Sequence, residues 1–333
     1  MLNIFITIAF LFASVLSKNI ILTNDDGFTA TNIRSTYKEL TNAGHNVLLV
    51  APVSQRSGWS GKFDVPATKD LLIDGEFGYI QKGQPSWGHE ADNMNIWYFN
   101  GTPASSVSFA LNYVIPQFFN STDSQDNKTV IDKVDLVVSG PNEGTNLSPG
   151  YFTISGTIGA ATSSLYRGIP AIAFSGSNSN NSFFKDSLND DPLEPSNIYA
   201  KKIVEFVDDL FDKQGDNSVL PLGTGINVNF PKVGYESDND ECTDPKWIFS
   251  RLSGEGASAP DVYYDEESDS IKSVTVPLRG LINCFNGDCS LPSESFILAN
   301  TTCQTSVSVF NIDYDANTEL TNSVKTLLEP ILN

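Results

Sequence analysis

Five short apolar runs constrain this chain more than any other feature. They are Asn19–Thr23, "HNVLLVAP" (45–52), "KVDLVVSG" (133–140), "IPAIAFSG" (169–176) and "GTGINVNFPKV" (223–233). In the first four the apolar stretches are largely continuous rather than alternating with polar residues, so such strands must be covered on both faces, and the fifth is strand-like. Between them fall segments with helical spacing. Thr29–Ala43 places Ile33, Tyr37 and Leu40 on one face before Gly44 stops it, and Thr102–Asn112 and Ser155–Arg167 follow the same logic. Strand–helix alternation of this kind predicts an α/β fold with a mostly parallel central sheet.

Beyond Ser177 the pattern changes. "SNSNNSFFKDSLNDD" (177–191) reads as a loop, and Pro195–Phe211 as one more amphipathic helix. From Glu236 the chain is rich in turns and carries an alternating run, "SIKSVTVPLRG", which predicts an accessory β-rich region over 236–333. No linker interrupts 18–333, so a single domain with that extension is expected.

The first residues, "MLNIFITIAFLFASVLS", are apolar and end in small side chains, the pattern of a secretory signal over 1–17. Four cysteines, Cys242, Cys284, Cys289 and Cys303, all lie in the last third. An even, clustered set fits two disulfides in an oxidising compartment, and with no C-x-x-C or adjacent His it fits zinc less well. A Cys284–Cys289 loop would leave Cys242 for Cys303, although spacing leaves the pairing open. Sequons at Asn120, Asn127, Asn146, Asn180 and Asn300 agree with export to the cell exterior, the wall or a periplasm. A formal net charge of −20 disfavours a nucleic-acid polymer as partner. The C-terminal "SVKTLLEPILN" lacks the long apolar tail of a lipid-anchor signal, so no membrane anchor is expected.

Ligands of open parallel sheets bind beyond the carboxyl ends of the strands. Four loops there are rich in Asp, Asn, Ser and Gly: Asn24–Gly27, "PVSQRSGWSG" (52–61), "SGPNEGTN" (139–146) and "SGSNSN" from Ser175. Hard oxygen donors with flexible backbone suit Mg²⁺ or Mn²⁺ together with phosphate. Asp25 and Asp26 sit directly after a buried strand, where adjacent like charges repel unless a cation offsets them. The bland alternative is a polar turn capping the following helix. A covalent aspartyl-phosphate route expects two Asp residues spaced two apart, and here they are adjacent. The two histidines, His45 and His89, stand in no Arg-His-Gly setting, no G-x-S-x-G elbow is present, and no G-x-G-x-x-G follows the first strand. "SGTIGA" (155–160) opens a helix with small residues, a natural place for phosphate.

Five segments in order, "ILTNDDGFTATNIRSTYKEL", "GHNVLLVAPVSQRSG", "NGTPASSVSFAL", "VDLVVSGPNEGTN" and "SGTIGAATSSLYRGIPAIAFS", resemble the SurE family of metal-dependent nucleotidases and acid phosphatases. The secreted, sequon-bearing form is most similar to fungal acid phosphatases of that family. The resemblance implies a Rossmann-like three-layer core and phosphomonoesterase activity on a small phosphorylated substrate. It implies a divalent cation, Mg²⁺ or Mn²⁺ with Ca²⁺ as an alternative occupant, held by Asp25, Asp26, Ser57 and Asn142. Asp25 and Asp26 would also handle the proton. Asn24 would orient the site, Ser155, Gly156 and Thr157 would hold phosphate, and Asn100, Gly101 and Thr102 would line the cleft. It also implies a homodimer built through C-terminal elements. Two places depart from the family pattern: "GWSGKFD" (58–64) after the Ser-bearing loop, and Ile154 before Ser155. They motivate a rival expectation, a secreted glycoprotein of the same fold that binds a phosphorylated ligand without turnover.

Overall fold

The computed structural model describes residues 17–120, 130–178, 180–214, 217–238 and 242–331. The expected signal, Met1 to Ser17, lies outside the described residues except for Ser17, as does the sequon Asn127. Along the chain the strands are β1 (Asn19–Thr23), β2 (Asn46–Pro52), β3 (Trp87–Glu90), β4 (Asn93–Phe99), β5 (Leu136–Asn142), β6 (Ala171–Ser175), β7 (Thr224–Asn229), β8 (Lys246–Ser250), β9 (Ser258–Asp265), β10 (Ser270–Pro277) and β11 (Gln304–Asn311). The helices are α1 (Thr31–Asn42), α2 (Pro103–Phe109, continued by a π-helical stretch Ala110–Phe119), α3 (Ser148–Ile154), α4 (Gly156–Leu165), α5 (Phe184–Ser187), α6 (Pro195–Gln214), α7 (Glu294–Asn300) and α8 (Thr318–Leu328).

One nine-stranded sheet runs in the order β3-β4-β2-β1-β5-β6-β7-β11-β8, and β9 pairs with β10 in a separate hairpin. The pairs β4–β3 and β7–β11 are antiparallel, and all other pairs in the large sheet are parallel. From β1 the chain first builds outward to β2 and later returns to add β5 on the other side. The crevice at the carboxyl ends of β1 and β5 is therefore the topological switch point.

The apolar runs explain the layering. On β1, Ile20 and Leu22 pack in one core with Ile33 and Leu40 of α1 and Ile203 and Val207 of α6. Ile21 packs in the other with Val107 of α2 and Ile158, Ala160 and Ala161 of α4. Each such side chain contributes about 1.5–3 kcal/mol by leaving water, which is why both sides of the strand are apolar.

His89 lies on β3, one arm of the β3–β4 hairpin, with its ring 4.8 Å from that of Trp97 on β4. Some expectations need correction. The 177–191 stretch contains the short helix α5. The residues from 236 onward are β-rich as expected, with β8 and β11 completing the main sheet and β9–β10 pairing as a separate antiparallel hairpin. Finally, Asn146 is a poor glycan site. It is only 7% exposed, and its Nδ2 donates to Ser175 Oγ at 2.7 Å. The sequons Asn120, Asn180 and Asn300 are exposed, although the Asn120 amide is engaged with Ile131 on both its nitrogen and its oxygen. The disulfides join Cys242 to Cys303 and Cys284 to Cys289.

The end of β5 is bulged against β6, with the register shifting between Ser139 and Asn142. Gly140 has φ +110°, and a Cβ placed there would meet the Phe174 carbonyl oxygen at 2.1 Å. Gly140→Ala should therefore destabilise the protein by more than the ~1 kcal/mol typical of a point change. Thermal unfolding checks this: a Tm equal to that of the unmodified protein would mean that the bulge relaxes freely.

Candidate active site

Two carboxylates leave β1 with almost no access to water: Asp25 is 2% exposed and Asp26 0%. The turn beneath them is closed by Asn24, whose Nδ2 donates to the Gly27 carbonyl at 3.1 Å and whose Oδ1 accepts from the Gly27 N–H at 3.2 Å. Gly27 takes φ +103°, a conformation that costs glycine little.

Asp25 is held by α4. Thr157 Oγ1 donates to Asp25 Oδ1 at 2.6 Å, and a Cβ on Gly156 would lie 2.8 Å from Asp25 Oδ2. The first turn of α4 thus rests directly on the carboxylate, where the Gly156 and Thr157 amides and the helix dipole favour negative charge. Ser155 caps the same helix, accepting from the Ile158 N–H at 3.2 Å. The Arg56 N–H donates to the Asp25 carbonyl at 2.6 Å, which fastens the β2 loop to the site. Ser57 follows on that loop, exposed and with no hydrogen bond among the described residues.

Asp26 is held by the β5 loop. The Glu143 N–H donates to Asp26 Oδ2 at 2.9 Å, while Asp26 Oδ1 is buried without a partner. Asn142 presents a second buried, unpartnered oxygen, because its Nδ2 is committed to the Glu143 and Gly144 carbonyls at 3.1 and 2.6 Å. Asn181, from the loop after β6, donates to the Asp26 carbonyl at 3.3 Å and leaves its own Oδ1 buried and unpartnered.

The electrostatics are one-sided. Burial raises the Asp25 pKa against the opposing pull of the Thr157 hydroxyl. Burial, then the charges of Asp25 and Glu143, push Asp26 well above the usual carboxylate range. Burial, helped by Glu236 and Glu76, pushes Glu143 up to about 7. The nearby cation, Arg56, does not neutralise them: its guanidinium is spent on the Gly101 and Gln55 carbonyls and on Asn100 Oδ1, at 3.2, 3.2 and 3.1 Å. Buried acceptors without donors, beside carboxylates without a counter-ion, are chemically complete only with protons or a cation. The donor set is all oxygen, which fits a hard divalent ion. Among the described residues no three His, Cys, Asp or Glu side chains gather as a metal cluster, so the fit rests on the mixed Asp, Asn and Ser donors.

The structure brings Asn24, Asp25, Asp26, Asn142, Gly156 and Thr157 together. It gives Thr157 and Thr102 other duties than expected. The Thr157 hydroxyl is occupied by Asp25, and Thr102 caps α2 through Ser105. Asn100 and Gly101 reach the site through Arg56. Trp59, in the departing loop, carries Arg56 at 4.9 Å and Lys62 at 4.3 Å over its ring. Glu143 and Asn181 are not evident from the sequence. Their loops stand out by composition, but nothing local marks which of several Asn and Glu residues turns inward.

The sequence pattern of the family described as "Survival protein SurE" matches residues 20–250. The chain is similar to an acid phosphatase of Yarrowia lipolytica, with 41% identity over 298 residues covering 89% of this chain and 80% of that one. It is similar to a 5′-nucleotidase SurE of Lawsonia intracellularis, with 31% identity over 220 residues covering 66% and 68%. The crystal structure of SurE from Aquifex aeolicus superposes with a TM-score of 0.59 over 93% of this chain and 99% of that one. At 23% identity, that last likeness speaks to the fold alone.

The charge imbalance has a measurable sign. Asp26 has a folded pKa above its unfolded value, so its contribution to stability is fully present below the unfolded pKa and is lost as pH rises through the folded one. In chelator, Tm should fall from pH 4 towards neutrality, and Asp26→Asn should flatten that fall. At pH 7 the variant should gain at least the ~2–4 °C that 1 kcal/mol represents in a large domain. Parallel Tm–pH curves for the two proteins would refute the buried charge.

Proposed function

This chain belongs to the SurE family, and from that premise we propose that it is a secreted, metal-dependent phosphomonoesterase acting on small phosphorylated substrates, nucleoside monophosphates among them. The observation that carries the reading is the pair of buried, unpartnered oxygens, Asp26 Oδ1 and Asn142 Oδ1, beside two buried carboxylates at the switch point of the sheet. Asp25, Asp26, Asn142 and Ser57 would hold the cation. When bound, an ion of the Mg²⁺ or Mn²⁺ class would neutralise phosphate oxygens and lower the pKa of a water.

The chain's own residues divide the remaining work. The first turn of α4, with Gly156 against Asp25, brings the positive end of the helix to the site, where phosphate oxygens would sit. Arg56 is oriented by Asn100 and Gly101 and brings a positive charge to the mouth of the site. Asp25 is fixed in orientation by Thr157. Asp26 is oriented by the Glu143 amide on Oδ2, which leaves Oδ1 facing the site for the cation.

Export is supported by the apolar run at 1–17, the two disulfides and the exposed sequons Asn180 and Asn300. The net charge of −20 weighs against polynucleotide substrates and in favour of small ones. Among the described residues no helix is long and apolar enough to cross a membrane.

Asp26→Asn should cut phosphomonoester hydrolysis by roughly 10³-fold or more while retaining the far-UV spectrum. Chelation should silence the unmodified protein, and Mn²⁺ should restore it and raise its Tm. At about 100-fold over Kd the ion adds ~2.7 kcal/mol. Undiminished turnover in the variant or after exhaustive chelation would overturn the metal mechanism, and Mn²⁺ binding without phosphate release would favour the ligand-binding alternative.

A further inference from the structure

A buried polar network joins the C-terminal part of the chain to the loop that carries Asn142. Its centre is Glu294, the first residue of α7, with 0% exposure. Glu294 Oε2 accepts from the Ser148 N–H at 3.1 Å, and Oε1 accepts from Asn227 Nδ2 at 2.8 Å. The same Asn227 Nδ2 donates to the Asn146 carbonyl at 3.2 Å. The Asn146 N–H then donates to Asn229 Oδ1 at 2.8 Å, and its side chain to Ser175 Oγ at 2.7 Å. The loop from Asn142 to Ser148 is therefore tied at its far end to one carboxyl group, directly and through Asn227. At its near end, Glu143 N–H and Asn142 Oδ1 serve the Asp26 site.

This arrangement is more than a structural tie. The side chains that anchor the loop are themselves buried, so the network cannot exchange its partners with water. A loop with fixed ends and a short span has little freedom to keep Asn142 in place if one end slips. Groups behind metal and substrate ligands act in this way, by orienting what touches the ligand.

We propose that Glu294 is a positioning residue of the active site, setting the conformation of the Asn142–Ser148 loop and through it the placement of Asn142 and of the Glu143 amide on Asp26. The proposal rests on the reading of Asn142 as a ligand residue, but its structural half can be tested separately. A glutamine at 294 offers one acceptor oxygen where the carboxyl offers two, so either Ser148 N–H or Asn227 Nδ2 loses its partner.

The test uses the full-length protein in three variants: Glu294→Gln, Asn227→Ala, and the control His45→Asn, which breaks a half-buried contact elsewhere, to Asp208 at 2.8 Å. Hydrogen exchange of the peptide spanning residues 142–148 should rise at least about tenfold in the first two and stay unchanged in the control. Mn²⁺ affinity by calorimetry and kcat on p-nitrophenyl phosphate should fall roughly 10–100-fold in the first two, with KM moving much less. Should Glu294→Gln fail to fold, Asn227→Ala carries the same readouts. Unchanged exchange of the loop in a folded Glu294→Gln or Asn227→Ala variant overturns the proposal. So does an equal loss of Mn²⁺ affinity in His45→Asn. If the unmodified protein neither binds Mn²⁺ nor releases phosphate, the catalytic reading falls, while the exchange result still decides whether Glu294 positions the loop.

Discussion

Two adjacent carboxylates are buried at the end of a central strand, and much of this structure is arranged around that fact. Leaving water costs an isolated carboxylate several kcal/mol, more than any one apolar contact in the layers above and below returns. The chain answers with polar contacts drawn from distant segments: Thr157 from α4 for Asp25, and the Glu143 amide from the β5 loop for Asp26. Neither contact carries a full charge. The two carboxyl groups are thereby oriented but not neutralised, and the site is complete only with protons or a cation.

The glycines of the site follow from the same demand. Gly156 lets the α4 backbone come within van der Waals reach of Asp25, and Gly140 lets β5 bulge against Phe174 so that Asn142 turns back to the crevice. A side chain at either position would separate the groups that the buried charges require to be close. The small-residue composition of "SGPNEG" and "SGTIGA" is thus a packing requirement as well as a flexible one.

What could be read from the chain depended on how each element meets its surroundings. β1, β2, β5 and β6 are legible because helices cover both of their faces, and double burial demands a continuous apolar run. β11 carries no such signal. Its inward positions include Thr305, Ser306 and Ser308, all buried yet polar, so its pattern resembles a loop. β3 is short and only partly buried, and its partner β4 begins with Asn93, Met94 and Asn95, which conceals the strand that Trp97 and Phe99 belong to. In the site, the Asp pair and Asn142 stood out by their place after strands. Glu143, Asn181 and Glu294 did not, because their inward orientation is decided by loops that return from elsewhere in the sheet.

The polar interior of β7, β11 and α7 also explains why the C-terminal part cannot be a detachable addition. β11 buries Val307 and Phe310 but also Thr305, Ser306 and Ser308, so apolar burial alone does not secure it and specific polar partners contribute. Asn227 and Ser148 meet Glu294, Ser250 meets Ser308 at 2.8 Å, and Cys242 is bonded to Cys303 at the start of β11. Buried polar contacts of this kind cannot trade partners with water and so fix what they join, although Asn227 Oδ1, Asn229 Nδ2, Thr305 Oγ1 and Ser306 Oγ stay unpartnered beside them. The network ends on the loop of the Asp26 site, so the ordering of the last third of the chain and the ordering of the active-site loop are one physical event.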